Sequence, residues 1–369
     1  MVCGFSKEVF VMRKRLLAAL LSAVLLLTLV PAAFAASDLD GHWAKKYIDY
    51  LADEDIINPS ATTGKYQPDT KVTRAEFMRY INRAFDFTEK ASISFSDVKS
   101  SDTYYETIQI AVKHGYINGM GNNRMDPEGT LTREQAATIL GRLHKYAPTA
   151  SASKLDVFTD KSKISSYATS YVAEAVSQGY INGYTDGTFK PQGNLRRGEI
   201  AKILYFYLGS SLGESGRQYT DAAFNDDTKN VTISAACTLS DATIEGNLYI
   251  TEGVLSGNVN LNNVTVKGDI IVGGGNVTLD GVTAMNLIVS NPMGIKPTVI
   301  ATGSTNIGTA EVQSSASLSE SGLSANAGGF SDVTVTGEGE TPTLGGAAIE
   351  GYNTSLVGVS DADAVDATA

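Results

Sequence analysis

Three arginines stand out by their setting. Arg74, Arg133 and Arg197 each follow a proline-containing turn and each open a stretch of helical periodicity, in Thr73-Arg74-Ala75-Glu76, Thr132-Arg133-Glu134-Gln135 and Arg196-Arg197-Gly198-Glu199. In every copy the residue two before the proline (Tyr66, Met125, Phe189) lies eight before the arginine. The chemistry such a position offers is anion capture. Free first-turn amides at a helix N-terminus attract negative charge, and a guanidinium adds a planar donor fork matched to a carboxylate. Two plainer roles compete: an exposed first-turn side chain, or an ion pair with an acid of the neighbouring copy. Recurrence at one loop-to-helix junction, expected to face solvent, favours the ligand role.

The elements that must position these arginines form a triplicated unit. Asp38, Asp97 and Asp160 stand 36, 36 and 37 residues before them, and a period near 60 with fixed internal offsets marks a sequence repeat. Each copy reads as helix, turn-rich loop, helix. Trp43, Ala44, Tyr47, Ile48 and Leu51 have the spacing of one apolar helix face, as do Tyr104, Ile108, Ala111 and Val112, and then Tyr167, Tyr171, Val172, Ala175 and Val176. Gly115 and Gly179 fall where left-handed C-terminal caps are expected. Thr73 with Glu76 and Thr132 with Gln135 predict capping boxes at the second helices. Repeat three has Arg196 where the threonine belongs and Gly198 in the first turn, so its site is expected to be the weakest.

The turns themselves, Gly115-Tyr116-Ile117-Asn118-Gly119 and Gly179-Tyr180-Ile181-Asn182-Gly183-Tyr184-Thr185-Asp186-Gly187-Thr188-Phe189-Lys190-Pro191, complete a pattern with the Thr-Arg-Ala-Glu segments. Over residues 36–208 this pattern resembles the S-layer homology domain, in three copies. The resemblance implies a multidomain chain: an α-helical trimer of repeats with pseudo-threefold symmetry, followed by a different domain. It also implies a ligand, the pyruvate ketal of a secondary cell-wall polysaccharide held in grooves between repeats. The residues it points to are Arg74, Arg133 and Arg197, with Asp38, Asp97, Asp160, Trp43, Tyr104 and Tyr167 lining the grooves. For the aspartates a helix-capping role competes, and for the aromatics core packing is the plainer reading. No cofactor or metal is implied. His42, His114 and His144 share no frame and read as surface or helix-end residues.

Residues 1–35 read as a secretory signal, with Arg13-Lys14-Arg15, the apolar run Leu16 to Val30, and Ala33-Phe34-Ala35 at the cleavage site. Met12 offers an alternative start. Cleavage would leave an exported chain, in the cell wall or at the cell surface, with no membrane segment and one cysteine, Cys237, which reads as a small apolar residue in a strand. The net charge of −11 is unevenly placed: residues 222–369 contain Lys229, Lys267 and Lys296, no arginine, and many acids. That balance excludes nucleic acid and anionic lipid as partners of the second half.

Repeats of 36–90, 91–150 and 151–208 are followed by a Gly/Ser-rich stretch at 209–230 that reads as a linker. Beyond it a second repeat appears. Cys237 to Ile250 aligns with Val259 to Val272 at an offset of 22, and Val277 to Val289 is a third copy at 18, one residue shorter. Short repeats rich in β-branched residues, with Gly, Asn and Asp at the corners, predict a parallel β-solenoid over 231–310. Leu239, Leu261 and Leu279 would form an inward ladder. An antiparallel sandwich is the alternative. Residues 311–369 read as a Ser/Gly/Ala-rich tail, β or partly disordered. The acids of this half do not recur in register, so the expected role is not enzymatic: display, spacing, or lateral assembly with itself or other surface proteins. A wall-anchored carbohydrate-active enzyme is the rival reading.

Overall fold

The computed structural model describes residues 37–143, 150–291, 296–314 and 316–335, with two short strands at 343–344 and 365–367. The proposed signal segment and His144 lie outside the described residues. The helical half has two helices per repeat: α1 Lys45–Asp53 and α2 Arg74–Ala84, α3 Tyr105–Lys113 and α4 Arg133–Leu143, α5 Thr169–Gln178 and α6 Arg197–Leu208. Among the described residues no helix is long and apolar enough to cross a membrane.

The pseudo-threefold arrangement is built into the backbone. Val72 N–H donates to Leu195 C=O, Leu131 N–H to Val72 C=O, and Leu195 N–H to Leu131 C=O, each at 2.9 Å, closing a ring. The three ring residues are fully buried, so each polar group is paired where water cannot reach it. The amides that open each second helix also cross to the next repeat. Arg74 and Ala75 donate to Gly129 and Pro127, Arg133 and Glu134 to Gly193 and Pro191, and Arg197 and Gly198 to Thr70 and Pro68. The helix N-termini, which would otherwise leave amides unsatisfied, therefore hold the ring together.

Capping differs from expectation. Only repeat two has both halves of the box, with Gln135 N–H on Thr132 Oγ1 (3.4 Å) and Thr132 N–H on Gln135 Oε1 (3.1 Å). In repeat one Thr73 caps the Glu76 amide, but the Glu76 carboxylate is drawn to Arg197. In repeat three Glu199 accepts from the Arg196 amide, so half of a box survives without the threonine. Gly198 is there for packing: a Cβ would lie 2.8 Å from the Ala44 Cβ.

The second half is an all-β parallel solenoid of about six turns. The offsets of 22 and 18 are its registers: Cys237↔Val259↔Val277 and Leu239↔Leu261↔Leu279. The missing residue of the third copy falls at an irregularity between Val266 and Asp269. Corner residues Asp241, Asn263, Gly281, Gly303 and Gly322 all have positive φ (52°, 54°, 67°, 60°, 64°). That is the region where glycine, asparagine and aspartate are tolerated, which explains the corner composition. Cys237 is buried in this sheet, and burial pushes its thiol up to about 11.

Two boundaries move. The Gly/Ser-rich stretch is no linker: β1 Ser210–Leu212 pairs with β3 Val231–Ile233, and β2 Gln218–Tyr219 pairs with β4 Cys237–Ile244, forming the first coil. At the other end the strands Ala316–Leu323 and Gly329–Val335 continue the coils past residue 310.

The halves share a core. Tyr249, Ile271 and Ile288 form one outward ladder on the solenoid and are buried in the same cluster as the helices. Tyr249 stacks on Tyr207 (5.6 Å between ring centroids) and meets Phe85 edge-on (5.9 Å). Around them Asn230 donates to Tyr207 C=O, Thr232 to Leu208 C=O, and Tyr50 bridges Gly209 C=O and Ser211 N–H. His114 stands at a helix end, as the C-cap of α3, but not at the surface: it is buried in this junction, stacked on Phe87, with Nδ1 3.2 Å from Glu252 Oε1.

Candidate functional site

Each expected aspartate and arginine grips the same residue from opposite sides. Asp97 accepts from the amides of Met125 and Asp126, both at 2.9 Å, while Arg74 Nε donates to Met125 C=O at 3.0 Å. Asp160 accepts from Phe189 and Lys190 (2.7 and 2.9 Å), and Arg133 Nε donates to Phe189 C=O (2.8 Å). Asp38 accepts from Tyr66 and Gln67 (3.1 and 2.6 Å), and Arg197 Nη1 reaches Tyr66 C=O (3.3 Å). Gln67, Asp126 and Lys190 precede prolines with φ of 54°, 54° and 55°, a costly backbone for side-chain-bearing residues. The aspartate holds that turn in place. Burial works against the ionised form, yet the paired amides keep the Asp97 and Asp160 carboxyls below their ordinary value.

The arginines cross between repeats. Arg74 of repeat one also reaches Asn118 C=O (3.4 Å) in repeat two, and Arg133 of repeat two reaches Asn182 C=O (2.5 Å) in repeat three. Arg197 of repeat three closes the cycle onto Gln67 Oε1 (2.8 Å) and Glu76 Oε1 (2.7 Å) in repeat one. The expectation of solvent-facing side chains is corrected: Arg74 is 3% and Arg133 5% exposed. Desolvation lowers the pKa of both guanidinium groups, and their carbonyl partners compensate the buried charge. Arg197, with its side chain 20% exposed, is the most open of the three.

Three grooves run between the repeats, each with one of these arginines in its wall. Groove one, about 260 Å³, combines Arg74, the turn from Ile117 to Met120, Gln135, Arg142 and Tyr167. Groove two, also about 260 Å³, combines Arg133, the turn from Tyr180 to Tyr184, Glu199, Lys202 and Trp43. Groove three, about 470 Å³, combines Arg197, the turn from Asn58 to Ala61, Glu76, Arg79 and Arg83. The construction is cyclic: an arginine from one repeat, then the turn and helix face of the next.

The aromatics divide. Trp43 and Tyr167 are 55% and 51% exposed, against the expectation of core packing, and they wall grooves two and one. Tyr104 is half-buried against the helical core and lines none of these grooves. The Tyr167 hydroxyl donates to Glu134 Oε1 (3.1 Å), and burial together with that carboxylate pushes it up to about 12. Sequence reading missed the residues that distinguish the grooves. They were legible as the third and tenth positions of each second helix: Glu76, Gln135, Glu199 and Arg83, Arg142, Phe206.

The S-layer homology domain profile matches residues 37–78, 94–137 and 157–201. The chain carries three S-layer homology domains. It is 36% identical over 178 residues to an amylopullulanase of Thermoanaerobacterium thermosulfurigenes, covering 47% of this chain and 10% of that protein. It is 30% identical over 175 residues to the surface-layer 125 kDa protein of Lysinibacillus sphaericus, covering 46% of this chain and 14% of that protein. It is 28% identical over 170 residues to the cellulosome-anchoring protein of Acetivibrio thermocellus, covering 44% of this chain and 38% of that protein. The similarity therefore takes in well under half of each relative's length. These S-layer homology domains place the chain among secreted proteins of the cell surface.

Proposed function

We propose that the S-layer homology domains anchor this chain by gripping a pyruvylated secondary cell-wall polysaccharide in the inter-repeat grooves, and that the solenoid is a structural domain held at the surface. The observation that carries the reading is the cyclic recurrence of one groove design, with a guanidinium in each wall beside a turn rich in backbone polar groups. An anionic sugar substituent suits that wall, and the exposed rings of Trp43 and Tyr167 suit a sugar face.

The solenoid's role is read as structural because three acids of its coils serve coil-to-coil ties. Asn263 donates to Asp241 (2.8 Å), Lys267 to Glu245 (2.6 Å) and Asn286 to Asp269 (2.8 Å). The amylopullulanase relative is matched through its S-layer homology region, so its activity lends no support to catalysis here.

The test is co-sedimentation of the full chain with purified wall polysaccharide, before and after mild acid removes the ketal. Binding is expected to vanish after treatment. Undiminished binding would overturn the acidic-group reading.

A further inference from the structure

The three grooves share a plan but differ in whether a carboxylate faces the groove. The third residue of the second helix faces each groove, and it is Glu76, Gln135 or Glu199. In groove three Glu76 lies 2.7 Å from Arg197 Nε and 4.0 Å from Arg79, so the arginine in the wall already has a carboxylate, although Arg79 and Arg83 line that groove as well. In groove two Glu199 accepts from the Tyr184 hydroxyl at 3.0 Å, and the Tyr184 ring lies over the Arg133 guanidinium at 4.7 Å. An incoming anion would have to displace that ring and meet Glu199.

Groove one has neither obstacle. Gln135 replaces the glutamate and turns its amide oxygen to the Thr132 amide. Among the described residues no carboxylate lines the groove, whose lining includes two guanidinium groups, Arg74 and Arg142. Glu134 stands behind Tyr167, already accepting from Ser165, Tyr167 and Gln192. Asp126 is near enough to favour the Arg74 charge, whereas Arg142 opposes it. Two like charges converging on one groove without a lining carboxylate leave positive potential to be met by a ligand. Exposed Tyr167 and Met120 add an apolar wall.

We infer that groove one is this chain's principal site for a carboxylate-bearing sugar, that Arg142 is its second cationic contact, and that Gln135 is the residue that sets the choice among the three grooves. The inference rests on the polysaccharide-anchoring reading above.

The experiment uses calorimetric titration of the full chain with a 4,6-pyruvate-ketal hexose glycoside, and with its carboxamide, which keeps the shape without the charge. One equivalent of the acid and no carboxamide should bind. Gln135→Glu preserves the helix cap, since glutamate is equally suited to that position, so its melting temperature should hold while affinity falls tenfold or more. Arg142→Gln should lower affinity to a similar extent. Glu76→Gln and Glu199→Gln should leave the first site's affinity within twofold. Unchanged binding in Gln135→Glu and Arg142→Gln, or a large loss in Glu76→Gln or Glu199→Gln, would overturn the assignment. The anchoring reading fails separately, only if wall binding survives removal of the ketal.

Discussion

Replacing Arg133 by alanine should weaken the fold before it weakens any binding. The side chain makes two charge-assisted hydrogen bonds to carbonyls of the next repeat, at 2.8 and 2.5 Å, and lies 4.7 and 4.9 Å from the Tyr184 and Phe189 rings. Hydrogen bonds to charged groups contribute about 1.5–3 kcal/mol each. Water entering groove two would re-solvate part of what is exposed, so a cost of about 3 kcal/mol is expected for Arg133→Ala. For a unit of this size that lowers the melting temperature by roughly 6–12 °C. Arg197→Ala should cost less, about 1–2 kcal/mol, because its site is more open to solvent. Arg133→Lys should recover little, since an ammonium cannot reproduce the fork. Differential scanning calorimetry without polysaccharide decides the matter. If Arg133→Ala melts within about 2 °C of the parent yet loses wall binding, the clamp argument is wrong and the side chain is a ligand group alone.

Other consequences can be checked on the same preparation. Asn263 occupies a left-handed corner, so Asn263→Val should destabilise by about 1–2 kcal/mol and Asn263→Gly by much less, read from urea unfolding. Because the folded Asp160 pKa is depressed, its contribution is present above the ordinary carboxyl range and lost as pH falls through the folded value; Asp160→Asn should flatten the stability profile below about pH 4, and an unchanged acid limb would refute this. Tyr249→Ala removes a fully buried ring from the junction and should cost about 3–5 kcal/mol; a melting curve identical to the parent would show that the two halves do not depend on each other.

Much of this architecture was legible because it repeats. Leu239, Leu261 and Leu279 could be stacked from spacing alone, since inward positions of a solenoid must recur once per coil. The first coil was not legible. Gly209 to Gly216 has the composition of a joint, and its strands are too short to show periodicity. What orders it comes from far away: Tyr50 bridges Gly209 and Ser211, and Gly209 passes so close to Asn230 that a Cβ would fall 1.8 Å from the Asn230 carbonyl oxygen. Arg74 and Arg133 were legible by type and position but not by partner, whereas Arg197 forms the ion pair with an acid of the neighbouring copy that the sequence left open. A carbonyl acceptor leaves no mark in sequence, so a buried clamp and an exposed anion trap read alike. Glu76 shows the same limit, because its capping role is lost to an arginine 121 residues away.

The helix α6 joins the two halves physically. Its first turn carries Arg197 and Gly198, which bond to repeat one beside groove three, and its last turn carries Tyr205, Tyr207 and Leu208, which pack into or bond across the junction. The ring of buried hydrogen bonds through Val72, Leu131 and Leu195 ties that helix to the other two repeats. A flexible tether would let the solenoid reorient without disturbing the grooves. Here reorientation would require exposing Tyr249, Ile271 and Ile288 to water and breaking the Lys46–Asp227 pair at 2.6 Å. At about 25 cal/mol per Å² of apolar surface, uncovering even one such ring or branched chain costs roughly 1.5–3 kcal/mol. Load applied to the solenoid would therefore reach the grooves through packed side chains, and the orientation of the solenoid is set by the repeats it packs against.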